Sequence, residues 1–163
     1  MDLKNMPGSE REMPMLISTK GRYATRMLID IAMNQGDGYV PMKDVAARQQ
    51  ISKKYMEAFT APLASAGILG IRRGKTGGYR LLVPADQVTL WEIVCLTDGP
   101  LHAVACLERA ENTCARCGFC ITLPAWEGLE QTVRDYLKSV TLQQLIDQSK
   151  PQPPNLEDYP CGV

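Results

Sequence analysis

The sequence of 163 residues lacks the features that define several common classes of protein. With one histidine, a site that needs several histidine ligands is impossible within a single chain. There is no run of about 18 uninterrupted apolar residues, and the N-terminal stretch MDLKNMPGSEREMPM is polar where a signal peptide carries its apolar segment. The expectation is a soluble, cytoplasmic protein without a membrane partner, in which 45% apolar residues suffice to bury one core.

Catalytic motifs are also missing. The segment Gly74, Lys75, Thr76 resembles the end of a phosphate-binding P-loop, but that motif requires a glycine where this chain has Leu69. A strand pattern, not a helix pattern, follows it. Because one histidine and no nucleophile–base motif remain, the sequence predicts that the chain is not an enzyme.

Net charge is absent as well, since 18 Lys and Arg balance 18 Asp and Glu. Zero net charge argues against nucleic-acid binding only if the charges are evenly distributed. Residues 15–80 contain 11 Lys and Arg against four Asp and Glu, a net charge of +7. Residues 81–163 contain five against eleven, a net charge of −6, and residues 1–14 contribute −1. This asymmetry indicates two functions, with nucleic-acid binding in the basic half.

The basic half has the order of elements that is typical of a winged helix-turn-helix. Apolar spacing predicts a helix over 19–34, a short helix after Pro41, and a third helix after the N-cap Ser52. A hairpin over 69–73 and 78–83 follows. In such domains the second helix of the pair enters the major groove, and the hairpin contacts backbone or minor groove beside it. The predicted fold class is mainly α with a small β-hairpin wing, followed by a long dimerisation helix.

The candidate DNA-binding residues lie on the outer face of the third helix and in the hairpin. The helix contributes Lys53, Lys54, Glu57 and Ala58. The hairpin contributes the cations that would contact phosphates, Arg72, Arg73, Lys75 and Arg80. A basic hairpin alone is more often an ordinary solvated surface, so this interpretation depends on the helix pair that precedes it.

The acidic half ends in a long helical pattern that begins at Pro124. Its apolar residues recur at spacings of three and four: Trp126, Leu129, Val133, Tyr136 and Val140. This seam favours a symmetric homodimer, and the alternative is that the helix covers the core of its own domain.

The same patterns give a division of the chain. Residues 1–14 are expected to be a disordered extension, 15–100 the DNA-binding domain and 101–123 a cysteine-rich loop. Residues 124–147 are expected to form the dimerisation helix and a short terminal helix, and 148–163 a disordered tail.

The loop carries four cysteines within fifteen residues: Cys106, Cys114, Cys117 and Cys120. The spacing C-x-x-C-x-x-C of the last three lets thiolates surround a small iron–sulfur cluster, and a glycine between them allows a tight turn. Four thiolates also satisfy tetrahedral zinc, and a pair such as Cys114 and Cys117 could form a reversible disulfide. Iron–sulfur binding, zinc binding and thiol redox chemistry therefore all remain open.

Three further residues have simpler interpretations. Cys95 lies among apolar residues and is expected to be a core thiol, and Cys161 in the tail is expected to be incidental. His102 is four residues before Cys106, and a lone histidine is more often structural than a metal ligand.

Several segments together resemble the Rrf-type family of bacterial winged-helix regulators, whose members include IscR, NsrR, RirA and CymR. They are MLISTKGRYA at 15–24, ISKKYME at 51–57, PLASAGIL at 62–69, RGKTGGYRL at 73–81 and TLQQL at 141–145. The resemblance implies a homodimer on a palindromic double-stranded DNA operator, with the long helix crossing between subunits. It implies a repressor that senses iron–sulfur cluster, iron, redox or nitric oxide status, through a loop that leads directly into the dimer helix.

The resemblance also assigns roles to residues. The base-reading positions of IscR-like members fall on Lys54, Glu57 and Ala58, and the wing arginine falls on Arg73. Ala58 departs from the glutamine of IscR, which changes the expected operator. Glu57 is expected to accept from cytosine.

The cluster-binding branch matches in part. Its three cysteines correspond to Cys106, Cys114 and Cys120, with Trp126 following, and the implied cofactor is a [2Fe–2S] or [4Fe–4S] cluster. The fourth ligand of the family is not present in this chain. IscR supplies a histidine where this chain has Leu123, and NsrR supplies an acidic residue where this chain has Arg22. Cys117 is the leading candidate for the fourth ligand, ahead of His102 or a group from the partner subunit.

Overall fold

The computed structural model describes residues 17–74, 76–108, 111–112 and 114–149. In this part of the chain the helices are α1 Thr19–Asn34, α2 Met42–Gln49, α3 Lys53–Ser65, α4 Leu90–Asp98, α5 Leu123–Ser139 and α6 Leu142–Asp147, and the strands are β1 Leu69–Arg72 and β2 Gly78–Leu81. None of these helices is long and apolar enough to cross a membrane. The predicted order of helix, short helix, helix and hairpin is confirmed, whereas residues 1–14 and 150–163, predicted to be disordered, lie outside the described residues.

Side-chain caps set the starts of the main helices. The Ser18 hydroxyl accepts from the backbone N–H groups of Lys20 and Gly21 at the start of α1, and Ser52 accepts from Tyr55 at the start of α3. Thr89 and Glu92 form a capping box at the start of α4. Because each cap satisfies N–H groups that the helix leaves unpaired, each is worth about 1 kcal/mol and fixes the first turn.

One apolar core unites the helices and the hairpin, and α1 lies at its centre. Helix α1 contacts α2, α3, α4, α6 and β2. Its inward face and the inward faces of its neighbours supply the buried residues Ala24, Met27, Leu28, Ile31, Val45, Met56, Phe59, Leu63, Leu69, Leu81, Ile93 and Leu142. Helix α3 is therefore held by its apolar stripe, so that its opposite face remains on the outside.

A partly buried ion pair joins α1 to α2. Asp30 is 4% exposed, and its carboxylate accepts from Arg48 Nε at 2.9 Å and from Arg48 Nη2 at 2.6 Å. The Gln49 amide donates to the same carboxylate at 2.9 Å. The hydrogen bond to Asp30 raises the pKa of Arg48, opposed by partial desolvation. Three bonds to one carboxylate fix the orientation of the last turn of α2, from which the chain enters α3.

The hairpin is shorter than predicted and is attached to the segment before α2. Its strands end at Arg72 and Leu81, not at 73 and 83, because the antiparallel pairing runs only from Leu69 opposite Leu81 to Arg72 opposite Gly78. Val40 and Tyr79 exchange two backbone hydrogen bonds of 2.8 Å. A Cβ at Gly78 would lie 2.3 Å from the Val40 carbonyl oxygen, so only glycine permits this contact.

Helix α5 is attached to the domain mainly through its C-terminal end. It begins at Leu123, one residue before the predicted start, with Pro124 in its first turn. Leu90 N–H donates to the Val140 carbonyl and Leu142 N–H donates to the Val88 carbonyl, both at 2.9 Å. Only one residue of α5 is buried, Leu137. Most of the surface of α5 therefore faces away from the core.

Candidate DNA interface and cysteine loop

The structure places the four predicted helix residues on one exposed face of α3. Lys53, Lys54, Glu57 and Ala58 are exposed, whereas Met56, Phe59, Thr60 and Leu63 on the other side are buried. Positions separated by three and four residues share a face of a helix, so this pattern follows directly from the apolar stripe. The exposed face carries two cations and one carboxylate beside a small residue that leaves room for a close approach.

The turn between α2 and α3 sets the direction of this face. Gln50 adopts the left-handed conformation with φ 54° and ψ 39°, and its N–H donates to the Ala46 carbonyl. Ile51 follows, 3% exposed, with its N–H on the same carbonyl at 3.2 Å. The buried Ile51 and the Ser52 cap then start α3 at a defined angle. This is the geometry of a helix-turn-helix.

Two of the predicted wing arginines are held against the segment between α1 and α2. The Arg72 guanidinium lies 4.2 Å from the centroid of the Tyr39 ring, and Arg80 Nη1 donates to the Asp37 carbonyl at 3.2 Å. Arg73 is exposed at the tip, and Lys75 lies outside the described residues. The partners of Arg72 and Arg80 are an aromatic face and a neutral carbonyl, so neither of these contacts is an ion pair with a carboxylate.

The structure adds an aromatic residue to the face of α3 that sequence analysis missed. Tyr55 is 38% exposed, and its ring packs edge-on against Tyr23 at 5.6 Å and Phe59 at 6.1 Å between centroids. Its position next to Lys54 in the first turn of α3 was the available signal. An aromatic ring held at one edge with its hydroxyl near the surface suits contact with a sugar–phosphate backbone.

The thiols of the cysteine loop lie in one segment of the chain but are not brought together in space. Cys106 and Cys120 are partly buried, Cys114 and Cys117 are exposed, and each carries a free thiol, as does Cys95. Within the described part of the chain, no three Cys, His, Asp or Glu residues lie close enough to hold a metal ion. The donor chemistry of four thiols suits an iron–sulfur cluster or zinc, but the loop would have to rearrange to bring them together. The predicted ligand set stays a prediction.

The thiols differ in acidity. The Thr122 hydroxyl, 3.4 Å from Cys120 Sγ, lowers the pKa of Cys120, with smaller contributions from backbone N–H groups and from the Arg116 charge. Burial raises the pKa of Cys95, although Arg134 and Lys138 oppose this effect. Since the thiolate is the reactive form and the metal ligand, Cys120 is the better prepared of the two for chemistry.

His102 lies where the start of the loop meets α5, and the hydrogen bond that joins them comes from Ala103. Its Nδ1 lies 3.5 Å from Glu130 Oε2, and the Ala103 N–H donates to the same oxygen at 3.2 Å. Arg134 Nη2 lies 3.4 Å from the other Glu130 oxygen and its guanidinium stacks 5.3 Å from the Trp91 ring centroid. Within the described residues His102 Nδ1 is buried without a hydrogen-bond partner, and none of these contacts involves a cysteine.

The apolar seam of α5 lies on the outside of the chain. Trp126 is 40% exposed, Leu129 43% and Tyr136 65%, whereas Val133 and Val140 are partly buried. Exposed apolar residues at helical spacing form a continuous stripe. Such stripes mark surfaces that another chain covers more often than surfaces that stay in water.

Comparison with known proteins supports the regulator interpretation. Residues 17–148 match the Rrf2 family, described as an iron-dependent transcriptional regulator. An HTH-type transcriptional regulator of Neisseria meningitidis serogroup A is 38% identical over 134 residues, which are 82% of this chain and 89% of the relative. The HTH-type transcriptional regulator IscR of Photobacterium profundum is 33% identical over 132 residues, 81% of this chain and 76% of the relative.

A solved structure shows the same fold. CymR, the global cysteine regulator of B. subtilis, superposes with a TM-score of 0.67 at 32% sequence identity. The similarity covers 83% of this chain and 98% of that one. The predicted winged helix-turn-helix fold is therefore confirmed.

The difference in thiol acidity predicts an order of alkylation. At about pH 7, Cys120 is expected to react with iodoacetamide faster than Cys95, because a lowered pKa raises the thiolate fraction and a raised pKa reduces it. The advantage should shrink as the pH rises above 9.0, the ordinary thiol pKa. Mass spectrometry of timed samples measures it, and Thr122→Val should slow Cys120 alone. Unchanged labelling of Cys120 in that variant would contradict the assigned hydrogen bond.

Proposed function

The chain belongs to the Rrf2 family of transcriptional regulators, and from that membership we propose a homodimeric repressor that binds a palindromic operator in double-stranded DNA. The relatives are regulators, so the prediction that the chain is not an enzyme is confirmed. The observation that carries the proposal is the position of the cationic face of α3 beside a wing whose arginines are held by neutral partners.

Each part of this surface has a distinct role in the proposed complex. The N-terminal half of α3 enters the major groove, where Lys54 contacts a phosphate or guanine and Glu57 accepts from cytosine N4. Arg73 at the wing tip contacts the adjacent backbone or minor groove. Lys53, Arg72, Lys75 and Arg80 add phosphate contacts that position the domain without reading sequence.

The exposed stripe of α5 supports the proposed dimer. Trp126, Leu129 and Tyr136 would leave water if the same stripe of a second copy covered them, as a two-fold symmetric interface requires. The C-terminal end of α5 is fixed to α4 through backbone hydrogen bonds to Val140 and Val88, so a dimer built on α5 also fixes the two DNA-binding domains. Two recognition helices about one helical turn of DNA apart then match the two half-sites of a palindrome.

Iron–sulfur sensing through the cysteine loop is the proposed signal. The loop offers Cys106, Cys114, Cys117 and Cys120, and the family is described as iron-dependent. A bound cluster would supply a group that oxidants and nitric oxide alter. The chain itself contributes the connection, because the Ala103 N–H joins the start of the loop to Glu130 of α5, with His102 beside it.

A thiol–disulfide switch is the second candidate, and one observation favours it. Cys120 has a lowered pKa, and Cys114 and Cys117 lie in the same exposed turn, with the Cys117 N–H donating to the Cys114 carbonyl at 3.0 Å. Oxidation of two thiols to a disulfide releases two protons and two electrons to an oxidant such as a peroxide or an oxidised low-molecular-weight thiol. Structural zinc at the same thiols is a further alternative.

Substitutions on α3 should distinguish a residue that positions the protein on the DNA backbone from a residue that reads the base sequence. Lys54→Gln should weaken binding to all sequences and reduce the slope of log affinity against log salt by about 0.9 per protomer. Glu57→Ala should leave that slope and the affinity for random DNA unchanged, but lose about tenfold to a hundredfold discrimination at one base pair per half-site. Titrations at several salt concentrations measure the slope, and selection from randomised duplexes measures the discrimination. Lys138→Gln on α5 is the control for both measurements. An unchanged selected sequence for Glu57→Ala would contradict its role as a base reader.

A charge in the α5 stripe should separate the dimer. Leu129→Glu is expected to weaken dimerisation by about a hundredfold, because burying an unpaired carboxylate costs about 3 kcal/mol. Light scattering at about micromolar concentration measures the mass of each variant. The control Gln131→Glu introduces the same charge on the opposite side of α5 and should remain dimeric. A monomeric unsubstituted protein, or a dimeric Leu129→Glu, would contradict the proposed interface.

Anaerobic purification tests the cluster. We expect a coloured protein that contains iron and sulfide, with Cys117→Ser altering the visible spectrum and shortening the lifetime of the cluster, and Cys95→Ser leaving both unchanged. An unchanged spectrum for Cys117→Ser would show that Cys117 is not a ligand. A colourless protein that contains zinc would show that the thiols hold structural zinc and not a cluster. A metal-free protein that reversibly loses two protons between loop thiols would establish the redox switch instead.

A further inference from the structure

A second cation lies beside α3, on the neighbouring helix α1. Arg26 is exposed, and its Nε donates to Gln49 Oε1 at 3.2 Å while its Nη2 donates to the Gln49 carbonyl at 2.6 Å. Gln49 is the last residue of α2, immediately before the turn that leads into α3. The guanidinium is therefore attached to the helix-turn-helix itself and not to a distant part of the domain.

Arg26 hydrogen-bonds to neutral groups, while the nearby carboxylate of Asp30 is occupied by other donors. Asp30 lies one turn further along α1, and it accepts two nitrogens of Arg48 and the amide of Gln49. The Gln49 side chain thus donates to Asp30 and accepts from Arg26, which fixes the orientation of its amide. Arg48 is neutralised by a buried acid, whereas the two hydrogen-bond acceptors of Arg26 are neutral.

An aromatic pair places Arg26 next to the first turn of α3. Its guanidinium carbon lies 5.3 Å from the centroid of the Tyr23 ring, and that ring lies 5.6 Å from the ring of Tyr55. Tyr55 is adjacent to Lys54 on α3. Arg26, Tyr23 and Tyr55 therefore form a row that extends the cationic surface from α3 onto α1.

We propose that Arg26 binds a phosphate of the DNA backbone beside the base pairs that α3 reads, and that Gln49 and Tyr23 are the residues that position it. The inference rests on the proposed DNA-binding function. A guanidinium has five N–H groups, and the bonds to Gln49 use two of them, so three remain for phosphate oxygens. Because the side chain is already ordered, binding loses less rotamer entropy than it would for a free surface cation.

A purely structural role for Arg26 is distinguishable from a phosphate contact. If Arg26 only caps the end of α2, its loss lowers stability but leaves the salt dependence of DNA binding unchanged. If it binds a phosphate, its loss removes about 0.9 from the slope of log affinity against log salt for each protomer. Gln49→Ala leaves the charge and the bond to the Gln49 backbone carbonyl but removes the side-chain bond to Nε, so affinity should fall modestly while the slope stays.

The experiment is a set of fluorescence-anisotropy titrations on a mixed-sequence duplex of about 30 base pairs, from about 50 to 200 mM KCl. We expect Arg26→Gln and Arg73→Gln each to lower the slope, and Arg26→Lys and the control Lys138→Gln to keep it. A slope that falls for Arg73→Gln but not for Arg26→Gln overturns the role of Arg26 alone. Unsubstituted protein without salt-dependent binding overturns the proposed function together with this inference.

A second measurement uses the unsubstituted chain and so does not depend on the folding of a variant. Phenylglyoxal modifies accessible guanidinium groups, and mass spectrometry locates the product. Saturating duplex DNA is expected to protect Arg26 at least severalfold, while Arg116 in the cysteine loop stays reactive. Equal modification of Arg26 with and without DNA contradicts the proposed contact, provided that Arg73 is protected in the same samples.

Discussion

The hydrogen bonds to the buried carboxylate of Asp30 are the interaction on which the arrangement of this protein depends. A charged group at 4% exposure is stable only with several strong donors, and Arg48 and Gln49 supply them from the last turn of α2. That requirement fixes α2 against α1, and the left-handed Gln50 then directs the chain into α3. These bonds fix where α3 begins, and the apolar stripe of α3 then decides which of its faces is exposed.

The charged surface follows from the same arrangement. The apolar stripe of α3 buries Met56, Phe59 and Leu63, which leaves Lys54 and Glu57 outside. The wing is joined to the domain where Val40 and Tyr79 exchange hydrogen bonds, which is why its cations lie beside α3. The acidic half shares the same core, because α4 packs on α1 and α3, and α6 packs on α1. The thiols and the apolar stripe lie after α4 in the chain, on the loop and on α5, apart in sequence from the cationic face of α3.

Local patterns predicted most of the fold because their causes are local. The cap Ser52 and the spacing of apolar residues placed α1 and α3, and the polar positions of α3 indicated its basic face. The strand ends were wrong, since they depend on where pairing stops. Tyr55 and Arg26 were missed, because their roles arise from contacts with Tyr23 and Gln49, which are distant in sequence.

The sequence alone determined the order of elements, the basic and acidic halves, and the family, because periodicity, caps and motif residues are properties of short segments. Only the tertiary structure decided which cations pair with a carboxylate and which thiols are acidic. Arg48 meets a buried acid whereas Arg26 meets an amide, and Cys120 meets a hydroxyl whereas Cys95 is partly buried. The physical reason is that ion pairing and acidity depend on the groups that surround an atom in space, and no spacing along the chain specifies those groups.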